Sequence, residues 1–388
     1  MSPEDKDTVC NIGYLLIKEK RYREAIQAFD KVINFDPQNA KAWKYKGNAL
    51  TQLEEYDNAI KAYNEAIKIE PDDAKTWIVL GCVFHFSEKY EEAIKAFNES
   101  IKIKPDDANA WTGKGGALFQ LKRYEEAIKA FNESIKIKPD DSTAWTYKAE
   151  TCSILQKYDE AIEAYDRSIL YNYNDAIIHN NYAVVLAKKG RYSEAESEVR
   201  AALKMNPSDP YFLGTFGDIF AYEEFFKAAK NEYLNALNNE MEESLKSEIY
   251  NNLGYVYAKT GNSDKARDCF NEAIFIDSMN TKARRNLPAI ERKNSQSAFS
   301  IKQKGLSLVA AFFLGVSCYL FLIKTISETI FATQSIAFFA FLIFISLYQD
   351  IGKLKVSRSG IEIEMSSEHK HAPYESQSSK GIPQIELC

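Results

Sequence analysis

From about residue 6 to residue 280, apolar and small residues recur at i, i+3/i+4 and i+7, in paired stripes separated by short polar turns. In the segment 108–141 the first stripe predicts a helix from Asn109 to Leu121 and the second one from Tyr124 to Ile137, with Lys122 and Arg123 as the turn. Pro139 ends the pair, since proline cannot continue a helix, and Asp140 and Asp141 suit the start of the next helix. The letters YEEAIKAFNESIKIKPDD at 90–107 return unchanged at 124–141, 34 positions later. A fixed period of this length marks a stacked array, because one hairpin cannot cover its own apolar face and must lie on its neighbours.

The pattern divides residues 6–278 into eight units, about 6–39, 40–73, 74–107, 108–141, 142–175, 176–209, 210–243 and 247–280. The last unit begins three residues late, so 239–247 is expected to hold a longer connection or an extended helix. Residues 281–293 begin like a further first helix, but Pro288 stands where the other units carry a small residue. A capping helix is expected there, followed by a linker at 294–304.

The residues at fixed places in each unit resemble the tetratricopeptide repeat family, whose pattern runs Trp, Leu-Gly, Tyr, Ala, Phe and a closing Pro. The third unit has Trp77, Leu80, Gly81, Phe84, Ala93, Phe97 and Pro105. The second has Trp43, Gly47, Ala59, Tyr63 and Pro71; the fourth has Trp111, Gly115, Ala127, Phe131 and Pro139. The fifth keeps Trp145, Ala149, Ala161 and Tyr165 but carries Tyr173 where Pro is expected. The small residues answer a steric need, because paired helices approach closely at those points. The resemblance implies an all-α, right-handed superhelical solenoid of eight helix-turn-helix units.

Two stretches beyond the array change the picture. Residues 306–323 and 330–348 contain no charged side chain, and each is near the length of about 20 residues that a bilayer span requires. They predict a two-helix transmembrane hairpin contacting the lipid bilayer over 306–348. Arg284, Arg285, Arg292, Lys293, Lys302 and Lys304 precede it, and Lys353, Lys355 and Arg358 follow it. Only Lys324 lies between the spans, so a cell-membrane location with both termini cytoplasmic is expected. The near-consensus style of the repeats suggests a prokaryotic source. Residues 353–364 alternate apolar and charged positions and predict a small β-hairpin pairing Val356 with Ile361 and Lys355 with Glu362. A tail at 366–388 is expected to be disordered, and a homo-oligomer could form through the membrane hairpin or the β-hairpin.

Composition adds little beyond exclusions. The chain carries −6 formally; residues 301–388 hold eight cationic and seven acidic side chains, which leaves −7 for residues 1–300. A mildly acidic array argues against nucleic-acid binding. None of the six cysteines has metal or redox spacing, and Cys82, Cys152 and Cys269 fall at packed positions of the helical pattern. His85 is expected in a helix wall, and the Gly113, Gly115 and Gly116 cluster lacks the strand context of a phosphate loop. No catalytic set, cofactor or metal is expected.

The family's geometry implies a concave surface lined by the first helix of each unit. Its lining here is expected to include Lys41, Lys44, Asn48, Lys75, Ile78, Asn109, Thr112, Thr146, Glu150, Asn180 and Tyr255. The basic amino-terminal half points to an acidic or extended peptide of a partner protein. One subset of the family grips a terminal carboxylate, and Lys44 and Asn48 match its opening. Val79, Asn109 and Gly113 break the rest. The expected function is a membrane-anchored interaction scaffold; a second reading makes the array a sensor controlling an oligomerising or pore-forming hairpin.

Overall fold

The structure, a computed structural model, describes residues 3–291, positions 312, 315, 316 and 333, and the strands at 351–357 and 360–365. It falls into two compact units, the first running through Phe225 and the second beginning at Phe226. The first contains α1 (Pro3–Lys18), α2 (Tyr22–Phe35), α3 (Ala40–Gln52), α4 (Tyr56–Ile69), α5 (Ala74–Phe86), α6 (Tyr90–Ile103) and α7 (Ala108–Gln120). It continues with α8 (Tyr124–Ile137), α9 (Ser142–Ile154), α10 (Tyr158–Tyr171), α11 (Ala176–Lys188), α12 (Tyr192–Met205) and α13 (Pro210–Tyr222).

Each hairpin is closed the same way. The chain enters a left-handed conformation at Lys20, Glu54, Glu88, Lys122, Gln156, Gly190 and Glu224, 34 residues apart. At Lys122 the turn donates two N–H groups back, to Phe119 O and Leu118 O, both at 2.9 Å, satisfying carbonyls the helix end leaves open. Asn39 starts α3, accepting from Ala42 N–H at 2.9 Å, and an Asp starts each of the next five first helices. Asp73, Asp107, Asp141, Asp175 and Asp209 accept from the backbone N–H two residues on, at 2.9–3.2 Å. The recurring acids are therefore helix caps.

Packing follows from the small residues. A Cβ added at Gly13, Gly47, Gly81 or Gly115 would run into the ring of Phe29, Tyr63, Phe97 or Phe131, respectively. These rings are fully buried, so bare backbone is what lets the paired helices close on them. Gly113 presses on Phe97 from the following hairpin, so Gly113 and Gly115 are both explained by packing against rings. Each second helix lies on the next first helix, and first helices also touch: α5 with α7, α7 with α9, α9 with α11 and α11 with α13. The core is thus shared between neighbours, in overlapping clusters such as Phe97, Leu118, Phe131 and Tyr147.

Two periodic polar locks tie the hairpins. The indole Nε1–H of Trp43, Trp77, Trp111 and Trp145 donates to the carbonyl of Pro37, Pro71, Pro105 and Pro139, at 2.8–3.0 Å. Inside the hairpins, Thr112 shares a hydrogen bond with Ser134 and Thr146 one with Ser168, both at 2.6 Å and 22 residues apart. Where Ile78 replaces the threonine, the buried Ser100 hydroxyl has no partner.

The second unit contains α14 (Phe226–Leu237), α15 (Glu243–Lys259) and α16 (Ser263–Ile276), then a helical stretch at 281–291. The offset at 239–247 is taken up by an early start of α15 at Glu243. The helix at 281–291 lies within the stretch 281–293 expected as a capping helix, and it continues through Pro288. Its Ala283, Leu287 and Ile290 close over Phe270 and Ala273, which performs the capping role. Asn280 heads it, accepting from Ala283 N–H at 3.0 Å and donating to the Ser247 hydroxyl at 2.8 Å. Strands β1 (Ile351–Ser357) and β2 (Gly360–Met365) pair antiparallel, placing Lys353 opposite Glu364, Leu354 opposite Ile363, Lys355 opposite Glu362 and Val356 opposite Ile361.

The expected cell-membrane location is corrected. Among the described residues no helix is long and apolar enough to cross a membrane. The longest, α15, has 17 residues and carries charges along its length, against about 20 apolar residues for a span. The stretches 306–323 and 330–348 lie outside the described residues apart from positions 312, 315, 316 and 333, as do the linker 294–304 and the tail 366–388.

Candidate functional site

In the first unit the first helices place three columns of side chains at 34-residue spacing. The outermost column is Lys41, Lys75, Asn109 and Thr143, all exposed. The next is Lys44, Ile78, Thr112, Thr146 and Asn180, of which all but Lys44 are buried. The third is Asn48, Cys82, Gly116, Glu150 and Val184.

The expected lining therefore separates into a surface and a floor. Lys41, Lys75 and Asn109 are available to a ligand. Lys44 is held at home: its ammonium lies 2.8 Å from Glu70 and 2.9 Å from Asp73. Burial pulls its pKa down, but these two carboxylates outweigh that and hold it above the ordinary value. Asn48 accepts from the Tyr63 hydroxyl at 2.5 Å. Ile78, Thr112 and Thr146 belong to the core, the two threonines through their serine partners. Tyr255 lies in the second unit, half-buried, with the Lys259 ammonium 5.4 Å above its ring.

Glu150 is the unusual member of the floor. It is 9% exposed, and its Oε1 accepts from Asn181 Nδ2 at 3.1 Å. Burial, reinforced by Asp175, pushes its carboxyl pKa up to about 8. Asn180, next to Asn181 on α11, is fully buried. The buried thiols Cys10, Cys82 and Cys152 are not joined in disulfides, and burial pushes that of Cys152 up to about 11. His85 sits edge-on to Tyr90 at 5.3 Å, and burial lowers its pKa.

His179 was not anticipated from the sequence. It stands 34 residues after Trp145, and Tyr173 stands 34 after Pro139. The imidazole takes over the indole's bond, with Nε2 2.8 Å from Tyr173 O, while Nδ1 lies 2.6 Å from Glu198 Oε2. Burial depresses its pKa, yet the bonds to Glu198 and Tyr173 outweigh burial and hold it above the ordinary value. The signal was present: one lock of a periodic series had changed both partners at once.

A family model described as the cilia and flagella-associated protein 70 C-terminal domain matches residues 3–248. A tetratricopeptide repeat model matches residues 247–280. Among solved structures, a tetratricopeptide repeat protein from Parabacteroides merdae is 15% identical, with a TM-score of 0.53 over 66% of this chain and 99% of its own. The APC/C hetero-tetramer Cut9-Hcn1 gives 18% identity and a TM-score of 0.48 over 70% of this chain and 53% of that one. This chain thus spans about half the length of that relative. YrrB, a repeat protein with an unusual peptide-binding site, is 19% identical, with a TM-score of 0.41 over 50% of this chain and 98% of its own. At such identities the likeness is one of fold. No curated protein sequence matches the chain.

Proposed function

We propose, from the premise that this chain belongs to the tetratricopeptide-repeat family of the cilia and flagella-associated protein 70 C-terminal domain, that it is a non-enzymatic interaction scaffold. Its first helices bind an extended segment of a partner protein along one face. The observation that carries this reading is the exposed column Lys41, Lys75, Asn109 and Thr143, set at a fixed interval on rigid helices above a packed floor. Side chains presented this way can meet successive groups of an extended chain with little ordering cost. The cations of that column, Lys41 and Lys75, favour an acidic group in the ligand near α3 and α5. Lys44 adds little, because Glu70 and Asp73 already neutralise it.

The test is binding of short peptides, selected on the full chain from a random-sequence library. Joint Lys41→Glu, Lys75→Glu and Asn109→Glu substitution is expected to weaken binding on the order of tenfold or more. Lys95→Glu with Lys129→Glu, on the second helices, should leave it unchanged. All five positions are exposed, so stability should shift by no more than about 0.5 kcal/mol at each. Equal loss from both sets would show that the first helices are the wrong face.

A further inference from the structure

We propose that the floor between α9 and α11 seats the cationic head of a lysine or arginine side chain of the bound peptide, with Glu150 as its counter-ion. This rests on the peptide-binding reading above and adds the chemistry of one ligand residue. Glu150 is the one acid in its column between α3 and α11, where Asn48, Cys82, Gly116 and Val184 fill the equivalent places. Only its Oε1 is used, by Asn181; Oε2 has no hydrogen-bond partner. On the facing helix, Asn180 is fully buried with neither Nδ2 nor Oδ1 hydrogen-bonded. The reason lies in the repeat: Thr112 and Thr146 each find a serine 22 residues on, whereas the residue 22 on from Asn180 is Ala202.

Three buried polar atoms therefore stand unused on two adjacent first helices. Each such atom has lost its water without gaining a partner, a desolvation cost that a ligand group can relieve. The titratable groups bearing on Glu150 are Tyr147 on its own helix, Tyr165 on α10 and Asp175 at the head of α11. All are acids or phenols, and none supplies a positive charge. An acidic ligand group would add repulsion, and an apolar one would leave the atoms unpaired. An ammonium or guanidinium donates to Glu150 Oε2 and Asn180 Oδ1 and supplies the missing charge. Without it, burial keeps Glu150 largely a neutral acid near pH 7. Seating the cation expels that proton to solvent and leaves a carboxylate–cation pair.

The experiment uses the full chain and the selected peptides. Recovered sequences should share a Lys or Arg, and replacing it by norleucine or citrulline should weaken binding on the order of tenfold. Glu150→Gln, which copies the shape of the neutral acid, should weaken the cationic peptides by a similar factor while leaving the neutral ones unchanged. Calorimetry near pH 7 in buffers of different protonation enthalpy should show about one proton released per peptide bound, and none with Glu150→Gln. Circular dichroism of that variant checks its fold. Peptides that bind without a selected cation, or without proton release, overturn the subsite and leave the peptide-binding face standing. A library that yields no binder overturns both.

Discussion

Phe131→Ala is expected to destabilise the array by about 3–5 kcal/mol, and to reverse the sign of a second substitution beside it. The ring is fully buried and stacks on Tyr147 across the hairpin boundary, centroids 5.8 Å apart and planes 13° from parallel. The ring also lies against the bare backbone of Gly115. In the unsubstituted protein, Gly115→Ala forces its new methyl into the ring and should cost about 1–3 kcal/mol. With Phe131 already truncated, the methyl enters free volume and gains alanine's helix propensity, about 1 kcal/mol. Denaturant unfolding of the four variants measures this coupling. Additive effects would show that glycine is not there to admit the ring.

The second large effect concerns pH. The His179 imidazolium is bonded to Glu198 and to the Tyr173 carbonyl, and its folded pKa lies above the ordinary 6.5. A group whose pKa is raised on folding stabilises fully below its unfolded value, and that contribution fades as pH climbs through the folded value. The lock is therefore complete under mildly acidic conditions and weakens as pH rises above 6.5. Charge-assisted bonds of this kind contribute about 1.5–3 kcal/mol. The variant His179→Trp with Tyr173→Pro rebuilds the indole–carbonyl lock of the preceding hairpins and has nothing to titrate there. Glu150 also loses stability with rising pH, so the informative quantity is the difference between the two proteins. That difference should grow in the variant's favour from about pH 6 to about pH 9. A constant difference would mean that His179 acts as a neutral spacer.

Most of the array could be read from the letters because period, caps and breakers agree with one another. The expected helix at Tyr124–Ile137 is found at those bounds, and its partner begins at Ala108 rather than Asn109. The shift before the last repeat was legible, although only packing decides that α15 absorbs it by starting early. The capping helix expected at 281–293 is a helix over 281–291, in which Leu287 and Ile290 dock on either side of Pro288.

The candidate site was less legible, since the fate of a groove residue is set by partners far away in sequence. Lys44 reads as a free cation until Asp73 arrives 29 residues later. Thr112 reads as lining until Ser134 claims it. Asn180 reads the same as Thr146, yet alanine stands where its serine would be. Membrane placement was argued from local hydropathy at 306–348, and the described helices do not carry it.

The central claim is that the first helices, and not the second ones, carry the ligand. Photo-cross-linkers placed at Lys75 and Asn109, and separately at Lys95 and Lys129, test it on the full chain with a selected peptide. The account predicts cross-links from the first pair alone, competed away by unlabelled peptide. Cross-links from Lys95 and Lys129, with none from Lys75 and Asn109, would contradict it.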